Sequence, residues 1–106
     1  MNPLQISEPT RKEIDESTGA LVLEFGALWC QYCQSAQNIV MPKMAQYPAI
    51  RHIKIEDGKG RRLGRTFTVK LWPTLIFIKD GLERKRLVRH FSALEIQEAL
   101  TLIDGK

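Results

Sequence analysis

The stretch "LVLEFGALWCQYC", residues 21–33, decides the reading of this chain. Its first half belongs to the run "ALVLEF", 20–25, nearly continuous in apolar residues with one acid, Glu24, inside it. Such a run suits a strand buried on both faces of a parallel sheet. Its second half carries both cysteines, Cys30 and Cys33, with Gln31 and Tyr32 between them. Ala36, Ile39, Val40 and Met44 follow at helical spacing, which predicts a helix from about Cys30 into the mid-forties. Pro42 should kink or end it.

A cysteine that follows a buried strand and opens a helix lies near unpaired N–H groups and the positive end of the helix dipole. Both favour thiolate over thiol, and the thiolate is the nucleophile of disulfide exchange. Cys33, one turn on, lies within reach of Cys30 and is placed to resolve a mixed disulfide. A structural disulfide is the weakest alternative, because a loop closed across two residues constrains the unfolded chain little. A zinc site needs four ligands, and only His52 and His90 remain as nitrogen donors beside the two thiols. Two merely buried cysteines fit less well with Trp29, Gln31 and Tyr32 around them.

At 106 residues the chain fits one domain, 1–106, and its 43% hydrophobic and 26% charged content is that of an ordinary globular protein. No apolar run approaches the length of a membrane span. The N-terminal segment lacks a basic start followed by a long apolar stretch, so a cytoplasmic protein is expected, or a periplasmic one if a leader was removed. The net charge of +4 gathers in two places, Lys59 to Lys70 and Arg84 to Arg89. Neither patch is interleaved with stacking aromatics, so a solvated loop and a charge-defended strand edge are favoured over nucleic-acid binding.

Around the central stretch the other elements fall into order. "PLQIS", 3–7, reads as a short edge strand and "EPTRKEIDES", 8–17, as a helix. "IRHIKIE", 50–56, alternates and reads as a strand, and 58–65 as a loop or helix start. "TLIFI", 74–78, is a buried strand, "KDG" a hairpin turn, and "LERKRLVRHF" its partner nearer the edge. Ser92 and Glu95 form a capping box ahead of the stripe Ile96, Ala99, Leu100 and Ile103. The order β-α-β-α-β-α-β-β-α predicts an α/β fold, a central mixed sheet of four to five strands flanked by helices.

"LVLEFGALWCQYC" is similar to the active-site segment of the thioredoxin family, and "VKLWPTLIFIKDG", 69–81, resembles that family's cis-proline segment and the hairpin after it. The resemblance spans nearly the whole chain and implies a thioredoxin-like fold. It implies that Cys30 is the exposed attacking thiol, Cys33 the buried resolver and Pro73 a cis-proline against the cysteines. Trp29, Gln31, Tyr32, Trp72 and Thr74 would meet substrate, with the backbone of Trp72 pairing to it like an added strand. Glu24 stands in the place of the family's buried acid. Desolvation should raise its pKa and suit it to take a proton from Cys33. His52 falls near a family lysine beside that acid, and a structural role is expected for it.

The expected function is a thiol–disulfide oxidoreductase acting on protein disulfides or thiols, probed against two alternatives. One is a recruitment module with a non-catalytic C-x-x-C, the other a metal-binding or metallochaperone domain. The redox pair itself, Cys30–Cys33, replaces a bound cofactor, and electrons come from a separate reductase or donor. A monomer is expected. The sequence departs from the family at Gln31-Tyr32, where thioredoxins typically have Gly-Pro, at the bulky Trp72, and at Gly26, often an aromatic there.

Overall fold

In a computed structural model of the chain, which describes residues 8–105, a four-stranded mixed sheet carries helices on both faces. The helix α1 (Arg11–Asp15) is followed by β1 (Ala20–Gly26), α2 (Gln31–Ala45) and β2 (Arg51–Glu56). Then come the short α3 (Leu63–Thr66), β3 (Thr74–Lys79), β4 (Leu82–Val88) and α4 (Ala93–Ile103). The segment "PLQIS", read as an edge strand, lies outside the described residues. The strands lie in the order β2-β1-β3-β4, with β1 parallel to β2 and antiparallel to β3, and β3 antiparallel to β4. The chain therefore adopts the thioredoxin-like α/β fold that its motifs imply.

Period-two alternation along the strands builds two cores. Val22 of β1 and Leu75 and Phe77 of β3 face one way and pack with Val40, Met44, Ile96, Leu100 and Ile103 beneath α2 and α4. Leu21, Leu23 and Phe25, with Ile76 and Ile78, face the other way and meet Ile14, Leu63 and Phe67. Each fully buried Leu or Ile contributes about 1.5–3 kcal/mol. Glu24 shares its parity with Val22, so the alternation that makes β1 a core strand also aims a carboxylate under α2.

The ends of the elements follow local chemistry. Ser92 Oγ accepts from Glu95 N at 3.1 Å while Glu95 Oε1 accepts from Ser92 N at 2.8 Å, which starts α4 as a capping box. Asp80 and Gly81 both adopt positive φ, 50° and 80°, as a two-residue primed turn requires between β3 and β4. Pro42 sits in the last turn of α2, which ends three residues later. β4 is an edge strand with most of its residues exposed, and Arg84 and Lys85 stand on it as charged guards.

Candidate active site

β1 ends at Gly26, and the chain turns through Ala27–Trp29 to make Cys30 the N-cap of α2. The Cys33 backbone N–H donates to Cys30 Sγ at 3.2 Å, so one orphan donor of the first helical turn lands on the sulfur. Both cysteines are free thiols. Cys30 is 5% exposed and Cys33 8%, which corrects the expectation of an exposed Cys30. Trp72 packs against the small cluster of Ala27, Cys30 and Cys33 and contributes to this burial.

The thiol of Cys33 is pushed up to about 12. Burial contributes most, followed by the hydrogen bond with Cys30, while the Ala27 backbone pulls the other way and the charges of Cys30 and Glu24 add to the rise.

Behind α2 lies a polar network on Glu24, which is 5% exposed. Glu24 Oε1 meets His52 Nε2 at 2.6 Å, and Gln37 Nε2 donates to Oε2 at 2.5 Å. Gln37 also donates to the Cys33 carbonyl at 3.2 Å and accepts from Lys54 Nζ at 2.8 Å. The spacing explains the assembly. Gln37 is four residues after Cys33, hence on the same helix face. His52 and Lys54 alternate onto one face of β2, opposite Val22 and Glu24 of β1.

This network corrects the expected direction of the Glu24 pKa. Burial does push the carboxyl up, but the hydrogen bonds from His52 and Gln37 and the charges of His52 and Lys54 together hold it below its ordinary value. Desolvation considered alone omitted the donors that the fold gathers. Glu24 is thus an ionised acceptor beside Cys33. A cavity of about 150 Å³ lies at this place, lined by Glu24, Gly26, Cys33, Gln37 and Lys54 among others. A Cβ on Gly26 would come within 2.7 Å of Cys33 Sγ, so the glycine makes room for the second thiol.

On the opposite side, a groove of about 520 Å³ has Cys30 in its lining, with Trp29, Gln31, Tyr32 and Trp72 around it. Trp29 is 72% exposed and meets Trp72 edge-on, ring centroids 5.4 Å apart. The Trp72 indole donates to Asp57 Oδ2 at 2.9 Å. A Cβ on Gly64 would fall on that carboxylate, so Gly64 leaves Asp57 its space. The Trp72–Pro73 bond is cis, and Pro73 is buried, its carbonyl accepting from Arg89 N at 2.9 Å.

One further expectation needs correction. Thr74, read as a substrate contact, is 1% exposed and its hydroxyl donates to the Leu71 carbonyl at 2.6 Å. It is the first residue of a central strand and points inward. The Trp72 carbonyl, part of the backbone expected to meet substrate, accepts from Arg89 Nε at 2.8 Å. Arg89 follows β4 opposite Pro73, and the hairpin register brings it there.

Gln37, Lys54, Asp57 and the site role of Arg89 escaped the sequence reading. The i+4 spacing from Cys33 and the alternation with His52 were signals for the first two. Nothing local marks Asp57 and Arg89, whose partners lie 15 and 17 residues away. Among the described residues no group of three or more His, Cys, Asp or Glu is arranged to hold a metal ion, and no helix is long and apolar enough to cross a membrane.

Comparison with known proteins agrees with this geometry. The family model described as Thioredoxin matches residues 5–101. The chain is 30% identical to thioredoxin H5 of Oryza sativa subsp. japonica over 79 residues, 74% of this chain and 58% of that protein's length. It is 26% identical to thioredoxin Asp f 28 of Aspergillus fumigatus over 89 residues, 84% of this chain and 82% of the other. Among solved structures, reduced thioredoxin 2 from Pseudomonas aeruginosa PAO1 is 47% identical, with a TM-score of 0.81 over 92% of this chain and 91% of its own. Sequence match, strand order and the placement of the cysteine pair lead to one conclusion: the chain belongs to the thioredoxin family.

Proposed function

We propose that this protein reduces disulfides in other proteins, with Cys30 as nucleophile and Cys33 as resolving thiol. The observation that carries the reading is the asymmetry of the pair. Cys30 Sγ accepts the Cys33 N–H at 3.2 Å, whereas the Cys33 thiol is pushed up to about 12. One sulfur is thereby held ready while the other waits.

In the first step the Cys30 thiolate attacks a substrate disulfide, forming a mixed disulfide and expelling one substrate thiolate, which takes a proton. In the second, Cys33 gives its proton to Glu24, directly or through water in the adjoining cavity, and its thiolate attacks Cys30 Sγ. Cys30–Cys33 closes as the second substrate sulfur leaves as a thiolate, which takes up the proton that Glu24 releases. Two electrons have passed to the substrate, and a separate reductase restores the dithiol. No bound cofactor takes part. The cytoplasm, where such donors keep thiols reduced, is the compartment we propose.

Insulin reduction with dithiothreitol as donor tests this reading. The protein should accelerate precipitation of the insulin B chain, and Cys30→Ser should abolish the acceleration. A wild-type protein no faster than dithiothreitol alone would overturn it.

A further inference from the structure

The groove beside Cys30 carries two cations and no acid in its lining. Lys70 is exposed on one side, and Arg89 is half-buried on the other. Arg89 is fixed in place, its Nε bonded to the Trp72 carbonyl at 2.8 Å and its guanidinium 4.4 Å over the Tyr32 ring. Its orientation is therefore set before any ligand arrives, and little side-chain entropy remains to be lost. A guanidinium has five N–H donors, and the bond through Nε leaves the terminal nitrogens as a fork suited to a carboxylate. No carboxylate of the described residues pairs with Arg89 or Lys70, and Asp57, behind the groove wall, accepts from the Trp72 indole.

The same contact weakens a neutral route of recognition. An extended peptide that adds to the Trp72 backbone like a strand meets a carbonyl with one of its two lone pairs already taken by Arg89. A peptide that offers a carboxylate instead meets the guanidinium where it stands.

We propose that Arg89 and Lys70 select protein disulfides flanked by acidic residues. The proposal rests on the reductase reading above and names its substrate class. Chemistry is unchanged: the dithiol Cys30/Cys33 becomes a disulfide, and the acidic peptide's disulfide becomes two thiols. Selection acts on encounter and on holding the mixed disulfide, through attraction of the Asp or Glu side chain to the two cations.

The test uses three synthetic peptide disulfides of one sequence, with Glu, Gln or Lys on both sides of the cysteine, and stopped-flow oxidation of the reduced protein. The Glu peptide should react about tenfold faster than the Lys peptide at low salt, the low end of electrostatic steering. The ratio should fall toward one at about 0.5 M salt, where screening is strong. Arg89→Gln and Lys70→Gln should each lower the Glu-to-Lys ratio, and Arg89→Lys should restore part of it. Lys70 is exposed, so its variant keeps the test usable should Arg89→Gln fail to fold. Lys85→Gln removes an equal charge four residues down β4, about 13 Å away, and should change the ratio least.

A ratio near one at low salt, with all three peptides reduced, overturns the selection and leaves the reductase reading standing. An equal fall for Lys85→Gln also overturns it, because net charge and not the groove would then be responsible. Failure to reduce any peptide overturns both.

Discussion

On the groove side of α2, Cys30 is bordered by aromatic rings that face solvent, whereas behind α2, Cys33 adjoins a buried carboxylate bonded to an imidazole and to an amide that an ammonium group holds in turn. The front is held by long-range bonds to its rim: Asp57 to the Trp72 indole and Arg89 to the Trp72 carbonyl. The rear is held by a network on Glu24, with Gln37 touching both the carboxylate and the Cys33 carbonyl. Two sulfurs one turn apart thus occupy different solvents. The difference teaches how one C-x-x-C can divide its labour: in the proposed reaction, capture of substrate answers to the front and release of product to the rear.

The strongest way to break this division is Glu24→Gln. If the rear governs the second step, the mixed disulfide should persist, and its resolution should slow about a hundredfold, roughly 2.7 kcal/mol in the barrier. The first attack by Cys30 should change far less. Single-turnover kinetics with a fluorescent disulfide separates the two steps, and equal slowing of both would collapse the comparison.

The same variant has an equilibrium signature. The partners of Glu24 hold its folded-state pKa below the ordinary value of 4.5, so they stabilise the folded protein above that value. This contribution is lost as pH falls from 4.5 through the lower folded value. Glu83, lowered by its bond and charge pairing with Arg86, adds a similar but more exposed loss in both proteins. Urea midpoints should therefore decline less steeply in acid for Glu24→Gln than for the unaltered chain.

Gly26→Ala tests the room behind Cys33. Its methyl would stand 2.7 Å from Cys33 Sγ, so the sulfur or the β1 end must shift. Overpacking of this kind costs about 1–3 kcal/mol, visible as a lower thermal midpoint, with resolution slowed more than capture. An unchanged midpoint and an unchanged second step would show that the space is not needed.

The smallest effect is expected at the front. Asp57→Ala removes the acceptor of the Trp72 indole and should cost about 1 kcal/mol. Trp29 and Trp72 fluorescence should change with it as the edge-on pair loosens, and capture should be altered while resolution is not. Slower resolution in this variant would join the two sides that the comparison separates.

Much of this molecule is legible in one dimension because its causes are local. The apolar run 20–25, the capping box at Ser92 and Glu95, and the Asp80-Gly81 turn each act within a few residues. Periodicity and turn chemistry therefore reveal them. The cysteine pair is legible for the same reason, since a strand end and a helix start are adjacent in the chain.

Burial of Cys30, by contrast, depends in part on a tryptophan 42 positions later in the chain. The direction of the Glu24 pKa depends on residues of α2 and β2 that meet only when the strands align. Thr74 looks like a rim residue until β3 takes a central place in the sheet and turns it inward. The sequence by itself determined the fold class, the cysteine pair and the acid beneath it, because propensity, periodicity and spacing act at short range. Only the tertiary structure decided which side each sulfur faces, what holds the acid ionised and what covers the Trp72 carbonyl. Those are effects of charge and contact between segments, and they exist only once the sheet has brought them within a few ångströms.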